Sequence, residues 1–137
     1  MAKTVVANLA VYPQRLPPVL PGDTIRVITE FDYIGPKLDG ASMISAIWYK
    51  SLVDPHNEIV RGEKALPIPD SPPPGQHLTV TIDLVVPAAD YRDDYGLYSS
   101  IRGVPGPDIY TPYYENIITI LGEPQFGELR ITSYTKV

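Results

Sequence analysis

The side chains best equipped for chemistry in this chain are two histidines, His56 and His77, three neighbouring aspartates, Asp90, Asp93 and Asp94, and a tyrosine run at Tyr110, Tyr113 and Tyr114. Catalysis needs a nucleophile with its base, a carboxylate pair in a pocket, or a metal cluster. Both histidines fall at expected strand ends, and the sequence holds no G-x-S-x-G, no H-E-x-x-H and no glycine-rich phosphate loop before a helix. The expectation is a protein that is not an enzyme and takes no cofactor. Asp90, Asp93 and Asp94 offer oxygen ligands to calcium, the one metal candidate. The other reading is that aspartates in a corner accept hydrogen bonds from turn amides.

The elements that must position these residues are strands. Ile25, Val27, Thr29, Phe31 and Tyr33 alternate with mostly polar neighbours, the period of a half-buried strand. Leu78, Val80, Ile82, Leu84 and Val86 repeat that pattern more cleanly. Val5, Ala7, Leu9 and Val11 form a first strand that the prolines from Pro13 to Pro21 end. Met43 to Leu52 reads as a strand with Ile44, Ala46 and Trp48 on one face, and Glu58 to Leu66 as a short edge strand. Pro67 to Gly75 reads as a stiff surface loop and Asp90 to Tyr95 as a polar corner. Gly96 to Arg102 and Tyr113 to Leu121 complete the set. Sixteen prolines exclude long helices. About seven short strands with turn signals between them predict an all-β, two-sheet antiparallel sandwich in residues 1–121. Residues 122–137 form an extension with one extra C-terminal strand, Glu128 to Lys136.

Asp94-Tyr95-Gly96-Leu97-Tyr98-Ser99-Ser100 resembles the D-x-G-x-Y-x-C signature of immunoglobulin-like domains, with Ser100 in the cysteine position. Gly22 to Thr29 is similar to the start of their second strand, with Thr29 in the other cysteine position, and Trp48 is similar to their core tryptophan. The proline-rich lead into Pro21-Gly22-Asp23 also resembles adhesion-type sandwich domains of bacteria and archaea. The resemblance implies an immunoglobulin-like sandwich without the disulfide. Tyr98 is then the tyrosine-corner residue, its hydroxyl bonded to backbone, and Asp94 has a structural role in the corner.

The same resemblance implies that the loop from Arg102 to Tyr114 lies beside the loop from Ile34 to Ala41. Tyr110, Tyr113, Tyr114 and Arg102 would then share a contact surface with Tyr33, Lys37 and Leu38. Tyrosines give rigid, amphipathic contact area, and prolines pre-order the loop. The alternative is that these tyrosines cover the core edge. Beyond residue 121, Phe126, Leu129, Ile131 and Tyr134 expose apolar surface unless the last strand pairs with its own sheet or with a neighbouring subunit.

No cysteine is present, so neither disulfides nor thiolate-bound metals contribute. A net charge of −5 argues against nucleic acid and anionic lipid as partners. No signal peptide and no membrane-spanning run is seen. The chain is expected to be soluble, made in the cytoplasm, and to act as a structural module in a virion or an extracellular assembly. Its expected partner is protein, as a homo-oligomer or larger assembly. The alternative is an adhesion module whose tyrosine-rich loops bind carbohydrate or a cell-surface protein.

Overall fold

The computed structural model describes residues 4–8, 15–122 and 126–137. They form eight strands: β1 (Thr4–Asn8), β2 (Thr24–Gly35), β3 (Ser42–Tyr49), β4 (Asn57–Ala65), β5 (Ser71–Val85), β6 (Arg92–Arg102), β7 (Ile109–Tyr110) and β8 (Tyr114–Ile120). Leu9, Val11 and Pro13, and residues 123–125 of the turn after Gly122, lie outside the described residues. Among the described residues there is no helix, so none is long and apolar enough to cross a membrane.

One sheet has the order β1-β2-β5, with β1 parallel to β2 and β5 antiparallel to it. The other has β4, β3 and β6 side by side, with β7 and β8 following one another along the far edge of β6, all antiparallel. Residues 15–20 tie the start of the chain to this second sheet. Leu16 and Val19 donate their N–H groups to the Ile117 and Thr119 carbonyls at 2.8 and 2.9 Å. The molecule is thus an all-β structure of two layers, as the alternating sequence requires.

The apolar faces of β2 and β5 supply Ile25, Val27, Val80, Ile82 and Leu84 to the core between the layers. From the opposite sheet come Met43, Ile47, Leu97, Ile101, Ile118 and Ile120. Burying a side chain of this size contributes about 1.5–3 kcal/mol, so these layers hold the fold. In their midst lie three hydroxyls. Thr29 and Ser99 stand 2.8 Å apart and Ser45 and Ser99 2.7 Å apart, all of them buried. The chain of hydrogen bonds satisfies groups whose burial would otherwise be costly.

Three expectations shift by one face of the sheet. Thr29 meets Ser99 rather than Ser100, because Met43, Ser45 and Ile47 of β3 and Leu97, Ser99 and Ile101 of β6 are the inward set. Trp48 and Tyr98 therefore leave the space between the sheets and form a second apolar cluster with Ile44 and Ala46 on the outer face. The corner hydrogen bond belongs to Tyr95, whose hydroxyl donates to the Asp90 carbonyl at 2.9 Å. A slip of one residue exchanges the two faces of a strand, and β3 and β6 are apolar on both.

Two further expectations change. Pro67 to Gly75 is not wholly loop, since β5 begins at Ser71, which pairs with Gly35 across a register shift after Tyr33. Prolines fit at such an irregularity because it asks for no ladder N–H. Gly75 is required there: its φ is +96°, and a Cβ would meet the Tyr33 carbonyl at 2.8 Å. The expected strand Glu128 to Lys136 does not form within the single chain, where residues 126–137 are exposed and without regular structure. Among the described residues no strand of the body pairs with them.

The hydroxyl chain gives a direct test of this register. Ser99→Ala removes the bond made by both Thr29 and Ser45 and should lower the free energy of unfolding by about 1–3 kcal/mol. Among the described residues Ser100 Oγ has no hydrogen-bond partner, so Ser100→Ala should leave the urea midpoint nearly unchanged. Equal losses from the two replacements would contradict the pairing described.

Candidate functional site

Trp48 lies opposite Gly96 in the β3–β6 ladder, and Ala46 opposite Tyr98. Gly96 has no side chain because the indole occupies its place: a Cβ there would stand 2.7 and 2.8 Å from Trp48 Cε2 and Cζ2 and would also strike the Tyr114 carbonyl. On this floor the other rings gather. Tyr113 and His56 meet Trp48 edge-on at centroid distances of 5.6 and 4.9 Å, and His56 stacks on Tyr113 at 3.9 Å. Tyr113 also packs on Tyr98 at 4.6 Å and faces Tyr110 at 6.1 Å. Trp48 and Tyr98 are buried, Tyr113 is half-buried, and Tyr110 is 48% exposed.

Charged groups border these rings. Glu58 accepts hydrogen bonds from the Tyr98 hydroxyl at 2.8 Å and from Arg61 at 2.6 Å. Burial, then the bond to Glu58, pushes the Tyr98 phenol up to about 12. Burial also pushes the Glu58 carboxyl upward, but Arg61 and Tyr98 together hold it below its ordinary value. Arg102 and Asp108 form a looser pair at 3.6 Å. Aromatic faces beside fixed carboxylates and guanidinium groups suit stacking and hydrogen bonding to a ligand.

A second site lies at the loop end of the sandwich. Phe31, Tyr33, Leu38, Ile68, Val104 and Pro105 are among the residues lining an apolar cleft of about 360 Å³. A neighbouring space of about 210 Å³ continues past Thr29, Met43 and Ser99. Both are lined by Phe31, Ile101 and Ile109, so they form one groove between β2 and the short β7. The core is open here: Phe31 and Tyr33 point inward yet are only half-buried, and Ile109 is 55% exposed.

The expected contact surface is thereby divided. Tyr33 and Leu38 line the groove, Tyr113 lies on the aromatic face, and Tyr110 stands between them, lining the smaller space of the groove and facing Tyr113. β7 makes the division, since Ile109 pairs with inward Ile101 and Tyr110 with outward Ser100. Tyr114 begins β8, half-buried against the main core. Lys37 pairs with Asp39 at 3.5 Å on the surface, and Arg102 stands by the aromatic rings' edge with Asp108. Asp94 is gripped by Arg92 at 2.9 and 3.0 Å, which holds its carboxyl below the ordinary range. Asp90 and Asp93 contribute backbone carbonyls to Tyr95 and Arg15. Among the described residues no group of three such side chains is placed to hold a metal ion.

Glu58 and Arg61 are not legible in the sequence as members of this site, for a physical reason. Ile47 pairs with Val60 but Trp48 pairs with Glu58, so Ile59 is an extra residue in the ladder. That bulge turns two residues of opposite parity, Glu58 and Arg61, onto one face. Alternation along the sequence carries no sign of it. The prolines and tyrosines from Pro105 to Tyr114 were the only visible signal.

The other histidine has carboxylates for neighbours. His77 Nδ1 lies 2.8 Å from Asp32 Oδ1, and Nε2 lies 3.9 Å from Glu30 Oε1, on the exposed face of the β2–β5 pair. The hydrogen bond to Asp32 raises the imidazole above its ordinary value of 6.5. A raised native value means that the pairing stabilises the fold fully below about pH 6.5, where the unfolded imidazole is also charged, and that this contribution disappears as pH rises through the native value. An NMR titration of the His77 ring should give a midpoint above 6.5, and Asp32→Asn should bring it down. An unmoved midpoint in that variant would remove the assignment.

Comparison with known proteins finds no family model, no curated protein and no solved structure that matches the chain. The functional reading therefore rests on the structure itself.

Proposed function

We propose that this chain is a non-catalytic assembly module with an immunoglobulin-like sandwich, which joins copies of itself or other subunits through its C-terminal tail. The observation that carries the reading is the tail itself. Phe126, Leu129, Ile131, Tyr134 and Val137 are each at least 86% exposed, with no cover from the body. A segment so apolar and so unpaired is the donor half of a strand-addition contact, in which main-chain hydrogen bonds give affinity and alternate side chains give specificity. The strand order β1-β2-β5 against β4-β3-β6-β8, and the Tyr95 bond at the corner, support the immunoglobulin-like class.

The aromatic face supports a second reading, recognition of carbohydrate or of a cell-surface protein. Tyr110 presents half its surface beside Tyr113, and fixed charges lie within the same face.

Light scattering coupled to gel filtration tests the first reading. The full chain should form a defined oligomer, and deletion of residues 126–137 should return it to a monomer with an unchanged melting temperature. A monomeric full chain, or an oligomer indifferent to the deletion, would count against it. For the second reading, Tyr110→Ala should abolish binding on a glycan array while preserving stability. Tyr113→Ala is the contrasting control and should cost about 2–3 kcal/mol, because Tyr113 packs on Trp48, Tyr98 and His56.

A further inference from the structure

The tail needs an acceptor, and the structure offers edges of unequal quality. β4 borders its sheet, but it carries Glu58, Arg61, Glu63 and Lys64, the charges with which exposed edges resist pairing. The groove between β2 and β7 is different. Its floor is apolar, and β1 pairs with β2 only over Thr24–Ile28, so among the described residues no strand covers that side of Thr29–Tyr33. β7 on the other side is two residues long.

The side chains agree in alternation and in charge. Along β2, Thr29, Phe31 and Tyr33 face the groove, while Glu30 and Asp32 face outward around the single imidazole of His77. Along the tail, Leu129 and Ile131 share one parity and Arg130 has the other. A tail strand beside β2 with Leu129 and Ile131 in the groove sets Arg130 outward, next to Glu30 and Asp32. Opposite charges on neighbouring strands are favourable, and two carboxylates exceed one imidazole.

Position in the fold favours another chain's groove over the chain's own. β8 runs away from the loop end, and Gly122 lies against Ala89 and Tyr91, at the opposite end from Pro36 and Val104. The tail thus leaves from one end of the sandwich and the groove opens at the other.

We propose that the tail of one copy adds as a strand beside β2 of a second copy, placing Leu129 and Ile131 in the groove between β2 and β7, so that copies join head to tail. This rests on the assembly reading above and names its acceptor. Because the chain has no cysteine, single cysteines report the contact cleanly. Full-length Leu129→Cys is mixed with isotope-labelled full-length Ile109→Cys under mild oxidation, and the mixed disulfide is identified by mass. Both positions are more than half exposed, so folding is preserved. A parallel mixture uses Lys64→Cys on the β4 edge.

A mixed disulfide at Ile109 in clear excess over that at Lys64 is the result expected. An oligomer that requires the tail but links preferentially to Lys64 would overturn the groove while leaving tail-driven assembly intact. A chain that stays monomeric at every concentration and links to neither would remove both.

Discussion

The pairing of β3 with β6 governs the rest of the molecule, because each strand is buried on both faces. One face of the pair closes the main core with Ile47 and Leu97, and the other holds Trp48 and Tyr98. A single register therefore fixes the hydroxyl chain at Thr29, Ser45 and Ser99, the corner bond of Tyr95 and the floor of the aromatic face together. Gly96 locks it. No other residue leaves room for the indole opposite, and a slip in either direction would drive a side chain into that ring.

This constraint also explains what the sequence discloses and what it hides. β2 and β5 have one polar face, so Ile25 to Tyr33 and Leu78 to Val86 reveal both their strands and their inward sets. β3 is buried along six successive residues, Met43 to Trp48, and a continuous apolar run has no visible parity. The resemblance to an immunoglobulin-like signature selected Tyr98 and Ser100, and the fold uses Tyr95 and Ser99. The class of architecture tolerates that error, whereas the assignment of individual side chains does not. The bulge at Ile59 adds a second hidden step, since it assembles Glu58 and Arg61 beside Tyr98 from positions that strict alternation would separate.

Two candidate surfaces follow from one short strand. β7 turns Ile109 toward the core and Tyr110 away from it, so the loop expected to make one tyrosine-rich surface makes an apolar groove and an aromatic face instead. They differ in what they offer. The aromatic rings are packed on each other and pinned by Glu58 and Arg61, which leaves Tyr110 as the adaptable margin. The groove has half-buried Phe31 and Tyr33 and a main-chain edge beside them. Aromatic stacking suits a small rigid ligand, while an edge beside a groove suits an extended chain.

The energetics of the tail favour an edge over a simple apolar pocket. Burying its five large side chains would contribute at most about 15 kcal/mol at the upper end of about 3 kcal/mol each. Fixing the backbone of twelve residues costs about 12–24 kcal/mol, which consumes most or all of that upper-limit gain. Main-chain hydrogen bonds at about 1 kcal/mol each bring the two sides into balance. A partner must therefore present unpaired backbone as well as apolar surface, which, among the described residues, the β2 side of the groove does. Because donor and acceptor sit at opposite ends of the sandwich, such a contact is heterologous: every copy that accepts a tail still has one to give, and growth continues until a ring closes or a filament forms.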